Sequence, residues 1–179
     1  MYVSGDSTLG LHIAAAVTAG TTATLTASGS GTADTLTITN MLTTGNSGSA
    51  TSNYTTSGFE TVTYNTSSYS TASTQDVQTV NVGSNTFKIL GANEFNNAGA
   101  ITATTIDGSG ATGAITMDTA AASVTTITGG SGADTLLGDA ASTIDGGAGN
   151  DTMTTGTGTD ELYGHNGDET ITVNNAGIK

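Results

Sequence analysis

The chain contains no cysteine, so it can form neither a disulfide bond nor a thiolate metal site. Proline and tryptophan are also absent, and basic residues are almost so, with Lys88 and Lys179 set against 15 acidic residues. A protein that binds nucleic acid neutralises phosphates with lysine and arginine, so we expect no nucleic-acid partner. No apolar run approaches the roughly 20 residues of a membrane-spanning helix, so we expect no membrane span.

What the chain has in quantity is threonine, its most frequent residue, together with 26 glycines. Short stretches in which apolar residues alternate with threonine are typical of strands with one buried face. This alternation predicts strands at 24–26, 35–39, 61–64, 77–82, 114–117 and 124–128. The Gly-, Ser- and Thr-rich stretch 43–57 is predicted to be a long loop. The sequence therefore predicts an all-β protein.

A second period appears beyond about residue 100. Large apolar residues follow one another at spacings of 9, 12, 9, 8, 9, 9 and 9, in the series Ile106, Ile115, Ile127, Leu136, Ile144, Met153, Leu162 and Ile171. This period predicts a coil in which each short strand sends one side chain inward and a turn follows. We therefore expect a parallel β-solenoid, irregular and Thr-rich over 1–100 and a regular β-roll over 101–179.

Four nine-residue segments can be superimposed in the last third of the chain. Segments 129–137 and 146–154 both fit G-G-x-G-x-D-x-(large apolar)-x. Segment 155–163 lacks only the first glycine, whereas 164–172 has His165 at the second glycine and Glu169 at the aspartate. The eight residues 138–145 lack the glycine spacing and are expected to be a spacer that binds no metal.

These segments resemble the glycine-rich repeats-in-toxin (RTX) family, which winds into a right-handed parallel β-roll with several Ca²⁺ ions in its turns. The same pattern, after threonine-rich stretches like those seen here, also resembles bacterial S-layer proteins. By this resemblance we expect loop carbonyls and acidic side chains as calcium ligands, drawn from Gly129, Gly130, Ser131, Gly132, Asp134, Gly146, Gly147, Ala148, Gly149, Asp151, Gly156, Gly158, Asp160, Gly164, Asn166, Gly167, Asp168 and Glu169.

The residue types suit calcium, a hard ion that takes 6–8 oxygen ligands. Glycines let successive carbonyls converge on one point, and the aspartate adds a carboxylate. If two nonapeptides complete one coil, turns about 18 residues apart stack, and ions are expected between turns 129–134 and 146–151 and between turns 146–151 and 164–169. Stacked carboxylates about 5 Å apart repel by roughly 1 kcal/mol even in water, which favours an intervening cation. In the last turn, either Asp168 or Glu169 is the expected ligand.

The leading functional hypothesis is a structural component of a secreted, calcium-dependent S-layer that self-assembles at the cell surface. The resemblance implies type I secretion, and we expect no enzymatic activity. Expected partners are calcium and further copies of the chain, with a cell-surface glycan or lipopolysaccharide as a further candidate. The alternatives are an accessory or secretion module of an RTX-type exoenzyme, and an adhesin or ice-binding segment. The last needs an uninterrupted outward ladder of threonines, which the irregular spacing before residue 100 is expected to break.

Overall fold

The computed structural model describes residues 8–13, 23–28, 31–40, 52–66, 78–97, 101–117, 124–138 and 142–174, and every regular element within them is a β-strand. The strands are β1 (Thr8–Ile13), β2 (Ala23–Ser28), β3 (Thr35–Asn40), β4 (Ser52–Asn65), β5 (Gln78–Gly91), β6 (Phe95–Asn97), β7 (Ile101–Ala111), β8 (Ile115–Met117), β9 (Thr126–Thr128), β10 (Thr135–Leu137), β11 (Thr143–Asp145), β12 (Thr152–Thr154), β13 (Glu161–Tyr163) and β14 (Thr170–Thr172). Among the residues described, no helix has the length and apolar character needed to cross a membrane.

The strand order identifies the architecture as a parallel β-roll. Strands β7, β9, β11 and β13 form one column, which β5, β4, β3 and β1 continue and which we call the first column. Strands β6, β8, β10, β12 and β14 form the opposite, second column. Every pairing within these columns is parallel, and from β5 onwards successive strands alternate between the two columns. The chain must therefore turn after each strand and rejoin the column one coil later, as the nine-residue period predicts.

The strand register gives the length of each coil. Ile127 pairs with Ile144, and Ile144 pairs with Leu162, so the C-terminal coils take 17 or 18 residues. In the N-terminal part, Leu36 pairs with Val62, a separation of 26 residues. The N-terminal coils are longer because β4 and β5 each extend over 14 residues. The nine-residue period is therefore visible only where strands of three residues alternate with short turns.

The core lies between the two columns, and strands of both columns contribute buried apolar residues to it. One register position of the first column gives a ladder of residues that are 0% or 1% exposed, namely Leu36, Val62, Phe87, Ile106, Ile127 and Ile144. The opposite column contributes Phe95, Ile115, Met117, Leu136 and Met153. Of the eight residues predicted to point inward, six are fully buried and Leu162 packs partly against the core. Ile171 is 48% exposed, because no described coil follows β14 to cover it. Each fully buried aliphatic or aromatic side chain contributes about 1.5–3 kcal/mol.

On the outer surface of the first column, one threonine from each coil occupies the same register position. These seven residues, which we call the threonine ladder, are Thr8, Thr35, Thr61, Thr86, Thr105, Thr126 and Thr143. Glu161 takes the next position. The expectation that irregular spacing breaks an outward ladder is therefore wrong. The early coils contain more residues, and the pairing of their strands leaves this register unchanged.

The predicted strands all overlap observed ones, but the loop predicted at 43–57 is wrong in its last part. Residues 52–57 belong to β4, where all six pair with β2 and residues 52–56 also pair with β5, whereas 43–51 lie outside the described residues. Composition alone indicated a loop because serine, threonine and asparagine are frequent in loops. Parallel neighbours on both sides, with Tyr54 between Leu25 and Val80, supply the backbone hydrogen bonds that make it a strand.

Candidate calcium-binding turns

Three glycine-rich turns stack along one edge of the roll, where the chain passes from the first column to the second. They are residues 129–134, 146–151 and 164–169, which we call the first, second and third glycine turns. The backbone N–H of Ala148 donates to the carbonyl of Gly130 at 2.9 Å, and the N–H of Gly149 donates to the carbonyl of Asn166 at 2.9 Å. The three turns are therefore in direct backbone contact.

Glycine is required in these turns by conformation and by space. Gly147 and Gly149 have φ angles of 90° and 130°, which side-chain-bearing residues rarely adopt. A β-carbon on Gly147 would collide with the carbonyl oxygen of Gly130, and one on Gly149 would collide with that of Gly132. Gly167 likewise faces the carbonyl oxygen of Gly149. Carbonyl oxygens therefore line the gap between successive turns, as a hard cation requires.

In three of the four nonapeptides, the aspartate at the sixth position ties its coil to the preceding one. Oδ1 of Asp134 accepts a 2.7 Å hydrogen bond from the N–H of Ile115, and Oδ1 of Asp151 accepts one of 2.8 Å from the N–H of Asp134. Both aspartates are only 1% exposed. This recurrence follows from the strand register, which places each acid beside the residue one coil earlier.

Asp134 differs from the other sixth-position acids because both of its oxygens have donors. Its Oδ2 accepts a 2.6 Å hydrogen bond from the N–H of Gly130. Burial raises the pKa of Asp134 above its usual 3.8, against the hydrogen bonds from Gly130 and Ile115 that lower it, and the neighbouring Asp151 carboxylate raises it further. Protein donors already satisfy this carboxylate, so it has the least need of a cation.

Three other sixth-position acids each keep a buried oxygen without a partner. Among the described residues, five buried side-chain atoms lack a hydrogen bond, and three of these are Oδ2 of Asp151, Oδ2 of Asp160 and Oε1 of Glu169. A buried anionic oxygen without a partner is costly. In the second and third glycine turns, this oxygen accompanies the carbonyl oxygens that line the gaps between turns. A bound Ca²⁺ would satisfy such a set of oxygens, so the residues of these turns fit calcium.

Side chains alone do not complete a metal site. No three acidic or histidine side chains converge on one point within the residues described. Backbone carbonyls must therefore supply most of the ligands. This agrees with a motif in which glycines outnumber aspartates.

In the third glycine turn, the two candidate acids differ in position. Asp168 is exposed, and its backbone N–H donates to Oδ1 of Asn150 at 3.1 Å. Glu169 is partly buried and packs over Gly164, where a β-carbon would touch its side chain. Glu169 therefore occupies the sixth position of this turn, and its longer side chain folds back into the turn.

The predicted ligands fall into two places. Gly156, Gly158 and Asp160 lie on the opposite edge, in the turn 155–160 that leads back to the first column, which we call the return turn. There Oδ1 of Asp160 accepts a 2.8 Å hydrogen bond from the N–H of Ser142. The other predicted ligands all belong to the three glycine turns. Among them, Ser131 contacts the preceding coil, because its N–H donates to the carbonyl of Ala111 at 3.0 Å.

Two residues near these turns were not predicted. Ser142 lies 18 residues before Asp160, and the length of one coil was the signal that could have found it. Asp145 directly precedes the second glycine turn, where its Oδ1 accepts a 3.0 Å hydrogen bond from the N–H of Gly147. An aspartate directly before a Gly-Gly pair was the only signal for Asp145 in the sequence.

The fold and these turns define a parallel β-roll with oxygen-lined cation sites. The family model of the RTX calcium-binding nonapeptide repeat matches residues 126–143 and 145–175, in four copies. RTX repeats bind calcium ions, so this part of the chain is a calcium-binding module of the RTX type. The first match reaches residue 143 and so extends into the predicted spacer. Searches among curated proteins and among solved structures give no match.

Proposed function

We propose that the turns hold three calcium ions, one at each unpartnered carboxylate oxygen. Asp151 and Glu169 would bind ions in the column of glycine turns, and Asp160 would bind one in the return turn. The predicted glycines, together with Ser131, Ala148 and Asn166, would contribute backbone carbonyls. Asp134 would brace the first turn through its two backbone hydrogen bonds.

We further propose that the protein is a structural component of a calcium-dependent surface layer, without enzymatic activity. The observation that carries this proposal is the unbroken strand pairing through β1, β3, β4, β5, β7, β9, β11 and β13. The strands described between residues 8 and 117 continue the roll that carries the calcium turns, as expected of a rod-like scaffold. Copies of the chain, and a cell-surface glycan or lipopolysaccharide, would be its partners.

The chemistry of the turns supports an extracellular location. Extracellular calcium modules bind at about 10⁻⁴ to 10⁻³ M, a concentration that the cytosol does not reach. Without calcium, the acids at 151, 160 and 169 oppose closure of their turns, and with calcium they support it. Ion binding therefore contributes folding free energy after export, for which type I secretion is the proposed route.

The first experiment measures folding and assembly together. Circular dichroism and calorimetry during a calcium titration should show a gain of β-structure at about millimolar calcium, and this gain should be largely lost in Asp151→Ala. Electron microscopy of the same samples should then show ordered arrays of the wild type. A chain that folds with calcium but stays monomeric would argue against the surface layer and leave the calcium module intact.

The accessory module of an RTX-type exoenzyme is the main alternative. It is favoured by the extent of the family match, which is confined to residues 126–143 and 145–175. Such a module would fold with calcium and raise the refolding yield of an attached enzyme, without forming arrays. The arrays sought by electron microscopy therefore separate the two proposals.

The threonine ladder favours a second alternative, an adhesive or ice-binding face. Parallel strands lie about 4.8 Å apart, so the ladder repeats a hydroxyl group at that interval over seven coils. Thr105→Lys should abolish inhibition of ice recrystallisation if this face binds ice, whereas Thr152→Lys in the opposite column should not. A wild type that does not inhibit recrystallisation would exclude ice binding.

A further inference from the structure

We propose that Asp145 is a positioning residue that holds the third glycine turn in its ion-receiving shape by acting on His165. This inference rests on the proposed ion at Glu169. Oδ1 of Asp145 accepts the N–H of Gly147 at 3.0 Å and lies 3.1 Å from Nε2 of His165. One carboxylate oxygen therefore contacts the second residue of two successive glycine turns.

His165 needs this contact because of its backbone conformation. Its φ angle is 63°, and among the described residues it is the only non-glycine residue with a positive φ. The corresponding residue of the second turn is Gly147, with a φ of 90°. A side chain in this region brings its β-carbon close to the next carbonyl oxygen, which glycine avoids. The third turn therefore has its shape at a conformational cost that the second turn does not have.

Strand pairing supplies the compensating contacts. Asp145 pairs with Tyr163 across β11 and β13, so its carboxylate lies beside the start of the third turn. The Tyr163 ring stacks on the His165 imidazole, with centroids 6.4 Å apart and an interplanar angle of 28°. The imidazole is thus held by a carboxylate and an aromatic ring, and we call these three side chains the clasp.

The clasp acts on the gap between the second and third turns. Asn166 follows His165, and its carbonyl accepts the 2.9 Å hydrogen bond from the N–H of Gly149. If His165 left its positive φ, the Asn166 carbonyl would turn away from Gly149 and the gap would open. Asp145 therefore preserves the shape of the gap between the second and third turns beside Glu169, although it is not proposed as a calcium ligand.

Hydrogen exchange at one saturating calcium concentration tests the clasp in the closed turns, because the turns are proposed to open without the ion. We expect the Gly149 amide to exchange about three- to tenfold faster in Asp145→Ala than in the wild type. The double variant Asp145→Ala/His165→Gly should exchange at nearly the rate of His165→Gly, because glycine adopts positive φ without help. If Gly149 exchange is accelerated equally in Asp145→Ala and in the double variant, the proposal is overturned. Asp145 would then act through its hydrogen bond from Gly147 and not through His165. An unchanged rate in Asp145→Ala would also overturn it.

Terbium luminescence sensitised by Tyr163 extends the test to the ion, with Tyr163→Phe identifying the signal. Terbium should bind the third turn several-fold more weakly in Asp145→Ala than in the wild type. The double variant Asp145→Ala/His165→Gly should regain most of the lost affinity. If exchange behaves as expected but Glu169→Gln leaves terbium binding unchanged, the ligand assignment fails and the clasp remains. If Glu169→Gln abolishes the signal and Asp145→Ala does not weaken it, the clasp fails and the ligand assignment remains.

Discussion

Asp151 divides its carboxylate between two tasks. Its Oδ1 accepts a 2.8 Å hydrogen bond from the backbone N–H of Asp134 in the preceding coil, while its Oδ2 is buried without a partner. Asp160 of the return turn divides its carboxylate in the same way. Its Oδ1 accepts a hydrogen bond from the N–H of Ser142, and its Oδ2 is buried without a partner. One oxygen therefore joins two coils, and the other is available to a cation. Folding of the coil and binding of the ion depend on the same side chain.

Asp151→Asn should remove the stability that one of the two proposed ions gives to the glycine turns. Asparagine keeps the volume and can still accept the N–H of Asp134, but it lacks the charge of the unpartnered oxygen. One ion at 100 times its Kd contributes about 2.7 kcal/mol, so the gain in unfolding free energy on adding calcium should fall by about that amount. Chemical denaturation with and without calcium measures the change. Ser131→Ala, which keeps every backbone carbonyl, is the control, and equal losses in both variants would contradict the assignment.

Glu169→Gln and Asp168→Asn form a matched pair in the third turn. Each removes one negative charge from neighbouring positions, but only Glu169 has a buried unpartnered oxygen. Calorimetry should show one ion fewer in Glu169→Gln and the wild-type number in Asp168→Asn. The reverse result would make the exposed Asp168 the ligand.

Asp160→Asn should act independently of Asp151→Asn. The return turn lies on the opposite edge of the roll from the glycine turns, and distant sites without shared partners are additive to within about 0.5 kcal/mol. The double variant should therefore lose the sum of the two calcium-dependent contributions. A coupling well above that limit would mean that the two edges close in one concerted step.

Asp107 should give the chain a small pH-dependent stability unrelated to calcium. The Ser109 hydroxyl donates to Oδ1 of Asp107 at 2.6 Å and is the main cause that lowers the pKa of this carboxyl below 3.8, with a smaller contribution from Lys88. A lowered folded-state pKa stabilises the protein above pH 3.8, and this stability is lost as the pH falls through the folded-state pKa.

Ser109→Ala should therefore lower the unfolding free energy at neutral pH by about 0.5 kcal/mol, because the carboxylate is partly exposed. Denaturant curves of the variant and the wild type, measured at one calcium concentration, should differ at neutral pH and coincide at a pH well below 3.8. Lys88→Met is the control and should have a smaller effect, because its ion pair with Asp107 is 3.5 Å long and partly exposed. A Ser109→Ala difference that persists in acid would have another cause.

Met153→Ala and Ile171→Ala compare the same register position in two coils. Met153 is fully buried and Ile171 is 48% exposed. The first change should cost about 2–5 kcal/mol and the second well under half of that. Thermal unfolding in calcium provides the measurement. Similar costs would mean that Ile171 is covered in solution by a further coil or by a second copy.

Much of the site could be predicted because its signals are local. The Gly-Gly-x-Gly turns and their aspartates lie within single nonapeptides, and the inward residues recur at one fixed interval. The spacing of 17 or 18 residues also predicted which turns stack, as the backbone contact between Gly130 and Ala148 confirms. The choice between Asp168 and Glu169 could not be predicted, because it depends on which side chain folds back over Gly164.

The sequence by itself determined the class of fold, the calcium turns and the absence of any thiol chemistry, because each depends on residue type and short spacing. Only the tertiary structure decided what depends on register between distant coils. Register aligned the seven residues of the threonine ladder despite their unequal spacing, placed the N–H of Ile115 against Oδ1 of Asp134, and brought Asp145 to His165. Parallel pairing fixes which residues of successive coils are neighbours, and the variable connections between coils hide that pairing from the linear sequence.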